Sequence, residues 1–173
     1  MVGNTQALTG ERADLLASLA KHRHFLRLTT RGLTDEQAAQ RTTVSELCLG
    51  GLIKHVASTE RQWTRFIVEG PSAMAFDPAT MADTWLNLFR MTPGDTLAGL
   101  LERYEQVAVE TDDLVRRLPD LGEAQRLPEA PWFEAGASWT ARRVLLHIIA
   151  ETAQHAGHAD IIREALDGAK SMG

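Results

Sequence analysis

Apolar residues recur every three or four positions over four long stretches of the chain, a spacing typical of amphipathic helices. The first stretch runs from about residue 9 to residue 30 and stops near Gly32. The second contains "LGGLIKHVASTERQWTRFIVE", can be capped by Thr43 or Ser45, and ends at Gly70-Pro71. Glycine and proline together are a strong helix stop, so this boundary is well defined.

The third and fourth stretches have equally recognisable beginnings. "TPGD" predicts a helix with Thr92 as the N-cap and Pro93 at the first helical position, and it ends near Leu118. Ser138 is predicted to cap the last helix, which covers residues 139 to 166 and ends at Asp167-Gly168.

Shorter features lie between these helices. Thr34 and Gln37 have the spacing of a capping box, which predicts one short helix, and residues 81–89 predict another within an irregular segment. The connection between residues 119 and 138 is long for a compact bundle, and long loops there are often functional. The pair Gly50-Gly51 weakens a helix, and a close approach by a facing helix is one reason to tolerate it.

These patterns predict an all-α fold, a four-helix bundle with long crossover loops. The 173 residues are expected to form a single domain, residues 1–173, with about eight N-terminal and five C-terminal residues frayed. Plentiful Ala and Leu, with only one Tyr and five Phe, agree with helix rather than sheet.

Composition excludes several functional classes. A net charge of −5 without a basic cluster argues against nucleic-acid binding, and no apolar run is long enough to cross a membrane. The first residues show no secretory signal, so a cytoplasmic protein is expected. Cys48 is the only cysteine, which rules out a disulfide within the chain and is best explained as buried packing.

The last long helix carries the candidate chemistry. One stripe on it begins and ends with apolar residues, so it should face the bundle interior. Its middle consists of Glu151, His155 and His158. A buried carboxylate normally pairs with a cation or binds a metal, and residues four apart can reach the same ion.

A third ligand must come from another helix, and His55 in "GGLIKHVASTE" lies on an apolar face. His55, Glu151 and His155 then form a set of two histidines and one carboxylate. Such a set suits Zn²⁺ with an open position, and also non-heme Fe²⁺ or Ni²⁺. His147 could share that side, whereas His22 and His24 lie among charged residues; there a solvated face is expected for at least one of them.

Residue types and spacing leave other interpretations open. A lone histidine on an apolar face is more often a core or surface residue than a ligand. Glu151 could be satisfied by His155 within the helix, or by an ion pair with Arg142 or Arg143. A di-iron site is disfavoured, because that fold needs paired Glu-x-x-His motifs and this chain has no second copy.

Two segments, "SELCLGGLIKHVASTERQW" and "ARRVLLHIIAETAQHAGHADIIREALDG", resemble the DinB-like metal-dependent four-helix bundles. The branch most similar is the N-terminal domain of mycothiol-dependent maleylpyruvate isomerase, whose additional C-terminal domain is not found in these 173 residues. The resemblance implies a DinB-type bundle in which His55, Glu151 and His155 hold the metal. It places His158 next to the metal, as a supporting residue, a substrate contact or a spare ligand.

The resemblance also implies an activity. A low-molecular-weight thiol, such as mycothiol, is the expected cofactor beside a divalent metal, and it would act as a thiolate on a small electrophile. An S-transferase or isomerase is therefore predicted, and a homodimer is plausible because that state is common in this superfamily. Two alternatives remain: a metal-dependent small-molecule hydrolase, and a non-catalytic, metal-stabilised bundle used in stress response.

Overall fold

The computed structural model describes residues 8–75 and 81–171, and for residues 81–84 it describes the backbone only. Most of the residues predicted to fray, 1–7 and 172–173, lie outside the described part. At the C-terminal end, the backbone N–H of Ser171 donates a hydrogen bond of 2.7 Å to the Asp160 carboxylate. That bond ties the described end of the chain to the last helix.

Six helices and one short hairpin follow one another along the described chain. Helix α1 and helix α2 precede the long helix α3, which is followed by a 3₁₀ turn. Helix α4, helix α5, the two strands and helix α6 complete the chain. Their bounds are α1 Glu11–Leu28, α2 Asp35–Ala39, α3 Leu49–Glu69, the 3₁₀ turn Gly70–Met74, α4 Met81–Leu88, α5 Leu97–Arg117, β1 Ala124–Arg126, β2 Ser138–Thr140 and α6 Ala141–Asp167.

The long helices α1, α3, α5 and α6 form the predicted bundle. Helix α6 packs on both α1 and α3, and α3 packs on α5, whereas α1 touches α5 much less than it touches α6. The predicted all-α fold is confirmed, because the strands amount to one hairpin of three residues on each side. Among the described residues, no helix is both long enough and apolar enough to cross a membrane.

A buried polar layer divides the core into two apolar clusters. Each long helix contributes one residue to it: Arg23 from α1, Glu60 from α3, Thr111 from α5 and Thr152 from α6. Both threonine hydroxyls donate to carbonyls of their own helix, at 2.9 and 2.8 Å. Arg23 and Glu60 instead form an ion pair that joins α1 to α3 inside the bundle.

Helix α3 begins later than the sequence predicts. Its N-cap is Cys48, whose sulfur accepts from the Gly51 N–H at 3.4 Å, so neither Thr43 nor Ser45 caps it. The hydroxyl of Thr43 accepts from the Ser45 N–H, and that of Ser45 accepts from the Leu47 N–H. Both predicted caps are therefore used in local turns, a competing role of these residue types.

Helix α5 also begins later than predicted. Thr96 is its N-cap, and Thr92, expected there, lies in a preceding turn. Asp95 organises that turn: its carboxylate accepts from the Thr92 N–H at 2.9 Å, from Lys54 at 2.8 Å and from Arg103 at 3.0 Å. Burial alone would raise the pKa of Asp95, but the hydrogen bonds from Lys54 and then from Thr92 lower this pKa from 3.8 to about 2.

Asp95 is therefore expected to make the fold sensitive to acid. Since its folded pKa lies below the unfolded value, the unfolded chain takes up a proton first as the pH falls. The stabilisation, about 2 kcal/mol, is present above about pH 4 and lost as the pH falls to about 2. Urea unfolding measured across this pH range should show that the free energy of unfolding of Asp95→Asn depends less on pH than that of the wild type. If Asp95→Asn lost as much free energy of unfolding at low pH as the wild type, this role of Asp95 would be contradicted.

The loop between α5 and α6 contains structure that the sequence did not reveal. Strands β1 and β2 pair in antiparallel register, and Ser138, predicted as a helix cap, lies in β2. Helix α6 begins after Thr140, whose hydroxyl accepts from the Arg143 N–H at 3.2 Å. The hairpin continues into hydrogen bonds from the first residues of α6 to Leu121 and Glu123, which fix the direction of the helix.

Gly50 and Gly51 serve a close approach, but not by a facing helix. They lie in the first turn of α3, and the non-helical segment Phe89–Met91 crosses directly over them. A Cβ on Gly51 would overlap the Phe89 carbonyl and lie 2.8 Å from the Arg90 nitrogen. The glycine pair therefore sets the position of the chain that leaves α4.

Gly51→Ala is expected to destabilise the protein by about 1–3 kcal/mol, since the added methyl collides with backbone rather than with a movable side chain. Gly157→Ala is the matched control on α6. A Cβ there meets nothing within 4 Å, so the change should stabilise the helix by up to about 1 kcal/mol. Denaturant unfolding of both variants tests this difference. Equal changes in their free energies of unfolding would contradict the close approach of the Phe89 backbone to Gly51.

Candidate metal centre

The two helices that supply the candidate ligands face each other directly. His55 lies two turns into α3, and its imidazole ring centre is 4.7 Å from that of His155 on α6. Further along the same seam, Trp63 of α3 meets His147 of α6 at 4.8 Å. Glu151 lies between these two contacts on α6, one turn from each of its histidine neighbours. The antiparallel pairing of α3 and α6 thus brings residues from distant parts of the sequence to one place.

His55, Glu151 and His155 come together as the spacing predicted. One ligand atom from each lies within 4.8 Å of the others. The Glu151 Oε2 atom is 3.9 Å from Nε2 of His55 and 3.7 Å from Nε2 of His155. Both distances exceed an ordinary hydrogen bond. The histidines are 5% and 8% exposed, so this cluster opens to solvent mainly through Glu151.

The Glu151 carboxyl is electrostatically matched to its neighbours. The facing imidazole of His155, followed by that of His55, holds its pKa well below the usual range. The carboxylate is therefore ionised at neutral pH and provides a negative charge between two imidazoles. The alternative partners do not serve it, because Arg142 pairs with Glu11 and Arg143 lies over the Trp139 ring.

His158 contacts one of the candidate ligands. Its Nδ1 atom lies 3.4 Å from Nδ1 of His155, one turn earlier on α6. Only one of the two nitrogens can carry the shared proton. His155 can offer an Nε2 lone pair only when its own Nδ1 is protonated, and His158 is then the acceptor.

Two aromatic residues that no sequence pattern indicated cover His55. Phe89 stacks on the imidazole at 4.1 Å between ring centres, and the half-exposed Trp85 lies 6.4 Å from it. Among the described residues, Nδ1 of His55 has no hydrogen-bond partner. Phe89 and Trp85 together form an aromatic wall beside His55. The only sequence signal for this wall is the pair Gly50-Gly51, which indicates that another segment comes close but not which segment it is.

His147 belongs to a different cluster. Its ring packs edge-on against Trp63 at 4.8 Å and Trp139 at 5.3 Å, and these two indoles stack on each other at 4.9 Å. Burial lowers the pKa of His147. Within the described chain, the group of side chains close enough to share an ion does not include His147. This histidine is instead part of an aromatic cluster in which Trp139 of β2 packs against α3 and α6, so the hairpin contacts the bundle through it.

The remaining candidates lie away from the cluster. Cys48 is buried as the N-cap of α3, with its sulfur 3.8 Å from the Phe89 carbonyl oxygen. On α1, His24 is exposed as expected, and His22 is half-buried. At least one of the two histidines is thus solvated, as predicted, whereas Arg23 between them is buried.

Residues 14–168 match the sequence model of a family described as mycothiol-S-transferase. The chain belongs to this family. The match spans the four long helices and confirms the DinB-like resemblance. It supports a thiol S-transferase-like role for the protein. No curated protein sequence matches the chain closely enough to count as a relative.

A solved structure supports the fold independently. The crystal structure of a conserved protein from Enterococcus faecalis superimposes with a TM-score of 0.65 at 14% sequence identity. The alignment covers 94% of this chain and 100% of that one. At such low identity the likeness concerns the fold alone.

Proposed function

We propose that this member of the mycothiol S-transferase family is a metal-dependent transferase that joins a low-molecular-weight thiol to a small electrophile. Its metal ligands would be His55, Glu151 and His155, with Zn²⁺ as the favoured ion and Ni²⁺ or Fe²⁺ as alternatives. The observation that carries this proposal is the convergence of the three ligand atoms within 4.8 Å, in a chain matched by the family model.

The residues present fit a divalent cation. Zinc lies about 2.0–2.2 Å from nitrogen and carboxylate ligands, so two atoms that share one ion are no more than about 4.4 Å apart. The two Nε2–Oε2 distances, 3.9 and 3.7 Å, meet that limit without being hydrogen bonds, and the third pair, that of the two histidines, lies within 4.8 Å. Two neutral imidazoles and one carboxylate also leave a coordination position free, as catalytic zinc sites do.

A bound cation would supply a Lewis acid that favours the ionised form of a thiol at the free position. The protein's own residues prepare that place. Glu151 offsets one positive charge, and His158 can accept a hydrogen bond from the Nδ1–H of His155, which leaves the Nε2 lone pair available. Phe89 covers His55 and keeps water from that side of the imidazole.

In the transfer itself, the thiolate sulfur provides the electron pair of the new S–C bond. If the electrophile carries a leaving group, that group departs with the electrons of the bond that breaks. If the electrophile is an activated double bond, its neighbouring carbon takes a proton instead. We propose mycothiol as the thiol because of the family match, and an isomerase reaction would use the same addition step.

The test is thiol-dependent turnover by the metal-loaded protein. Consumption of 1-chloro-2,4-dinitrobenzene would be followed with mycothiol, with glutathione and without thiol, before and after treatment with a chelator. Turnover that needs both mycothiol and metal is expected. Turnover without any thiol would favour the metal-dependent hydrolase, and metal binding without turnover would favour the non-catalytic bundle.

Four further expectations from the sequence stay predictions. They are the single-domain organisation of residues 1–173, the homodimer, the cytoplasmic location and the lack of a nucleic-acid partner. Size-exclusion chromatography with light scattering measures the oligomeric state directly.

A further inference from the structure

A groove lies between α3 and α5. Its volume is about 460 Å³, and it is separate from the three candidate metal ligands. Its floor is made of small or apolar residues, and its rim is largely basic. The floor includes Ala57, Ala73, Leu100 and Val107, and the basic residues of the rim are Lys54, Arg61, Arg65 and Arg103.

The rim is more positive than the rest of this acidic protein. Lys54 and Arg103 share one carboxylate, that of Asp95, at 2.8 and 3.0 Å. Arg65 pairs with Glu69 at 2.7 Å. Among the described residues, Arg61 has no acidic partner, and the four cationic groups that line this groove have two carboxylate partners in that part of the chain, Asp95 and Glu69. In contrast, the exposed Arg27 of α1 has its own carboxylate in Glu105.

The arrangement of the guanidinium groups suits an anion. Arg61 and Arg65 are one turn apart on α3, and Arg103 reaches the same groove from α5. A guanidinium presents planar, paired donors that match carboxylate, sulfonate and phosphate oxygens. The floor beneath offers an apolar surface of a size suited to a small organic group.

We propose that this groove binds a small organic anion, one with an apolar body and a single carboxylate, sulfonate or phosphate group. The groove and the candidate metal centre share no residue, but two residues that line the groove are sequence neighbours of residues at the centre. Lys54 immediately precedes His55, and Leu88, which lines the groove, immediately precedes Phe89. The proposal does not depend on metal binding or on transferase activity.

Phenyl phosphate serves as the probe in isothermal titration calorimetry on the full chain. Saturable binding with one site per chain is expected, and it should weaken as salt is raised. Inorganic phosphate, which lacks the apolar body, should bind more weakly, and benzyl alcohol, which lacks the charge, should show no saturation. If inorganic phosphate binds as tightly as phenyl phosphate, the apolar floor has no role and the proposal fails.

Arg61→Glu should weaken phenyl phosphate binding by at least about ten-fold, since it replaces a charged donor with a repelling carboxylate. Lys21→Glu is the matched control, an equal change of charge at an exposed position of α1 outside the groove. Equal weakening in both variants would show only a general charge effect and overturn the site. Circular dichroism melting confirms that both variants fold.

The variant His55→Ala separates this groove from the candidate metal centre. It should retain phenyl phosphate binding even if it no longer holds metal. Loss of binding in His55→Ala would place the probe at the metal centre and contradict the groove. Failure of the transferase assay, by contrast, would leave these measurements unchanged.

Discussion

Glu60→Ala is expected to lower the free energy of unfolding by about 3–5 kcal/mol, which would be the largest stability effect of any single change considered for this chain. Glu60 is 1% exposed and Arg23 is 5% exposed. The Arg23 Nε donates to Glu60 at 3.2 Å, and its Nη1 donates to Asp112 at 2.8 Å. Removing the Glu60 carboxylate leaves a guanidinium buried with only part of its compensating charge, a far greater penalty than the loss of one surface ion pair.

The measurement is equilibrium unfolding in urea, with two comparison variants. Glu105→Ala breaks the exposed pair with Arg27 and should cost less than about 1 kcal/mol. Arg23→Met combined with Glu60→Leu removes both buried charges and should cost less than Glu60→Ala alone. If the single and double variants were equally destabilised, the effect would come from packing rather than from the unpaired charge.

This ion pair also shows where the sequence was insufficient. "AKHRHFLR" contains four basic or histidine positions in a row, and the solvated face predicted for at least one of its histidines is found at His24, yet Arg23 lies in the core. Its partner Glu60 is 37 positions away, and nothing local indicates that the two meet. Burial of a charge becomes visible only after the packing of α1 against its neighbours is known.

Helix existence was easier to predict than helix beginnings. The four long helices follow directly from apolar spacing, and the stop at Gly70 is confirmed by its positive φ of 69°. The predicted N-terminal caps were wrong for α3, α5 and α6: a cysteine, Cys48, caps α3, and a threonine two or four positions later than the predicted residue caps α6 and α5. Other contacts decided the start of α5 and α6: Asp95 holds Thr92 in a turn, and strand pairing places Ser138 in β2.

The candidate site was the most predictable part of the chain. Glu151 and His155 share one helical face by spacing alone, and the face of α3 that contains His55 is apolar. The structure joins them, with their ligand atoms close together. The aromatic wall could not be predicted, because Phe89 reaches His55 through a non-helical segment whose path is set by contact with Gly51.

Replacement of the candidate ligands is expected to have the largest effect on metal binding. Glu151→Gln keeps the size of the side chain and removes the charge, and His155→Ala removes an imidazole. Changes to residues that merely support a ligand typically weaken metal affinity by about 10–100-fold, so loss of a ligand itself should exceed about 100-fold. Metal content by mass spectrometry and competition with a fluorescent chelator give the stoichiometry and the affinity.

His158 provides a graded comparison on the same helix. If His158 is a supporting residue, His158→Ala should weaken metal affinity by about 10–100-fold, because Nδ1 of His155 loses its hydrogen-bond partner. His158→Asn keeps an oxygen that can accept a hydrogen bond from the Nδ1–H of His155, so this variant should recover part of the loss. His24→Ala, an exposed histidine on α1, should have no effect.

The order of these affinities separates the competing explanations for the cluster. If Glu151 and His155 only satisfy each other within α6, wild type and all variants should bind metal equally weakly. If His158 is itself a ligand, His158→Ala should match His155→Ala, and Asn should give little recovery. The third explanation is that Glu151 and His155 bind the metal and that His158 positions His155 as a ligand. Only then should the loss of metal affinity be largest for the Glu151 and His155 variants, intermediate for His158→Ala and absent for His24→Ala.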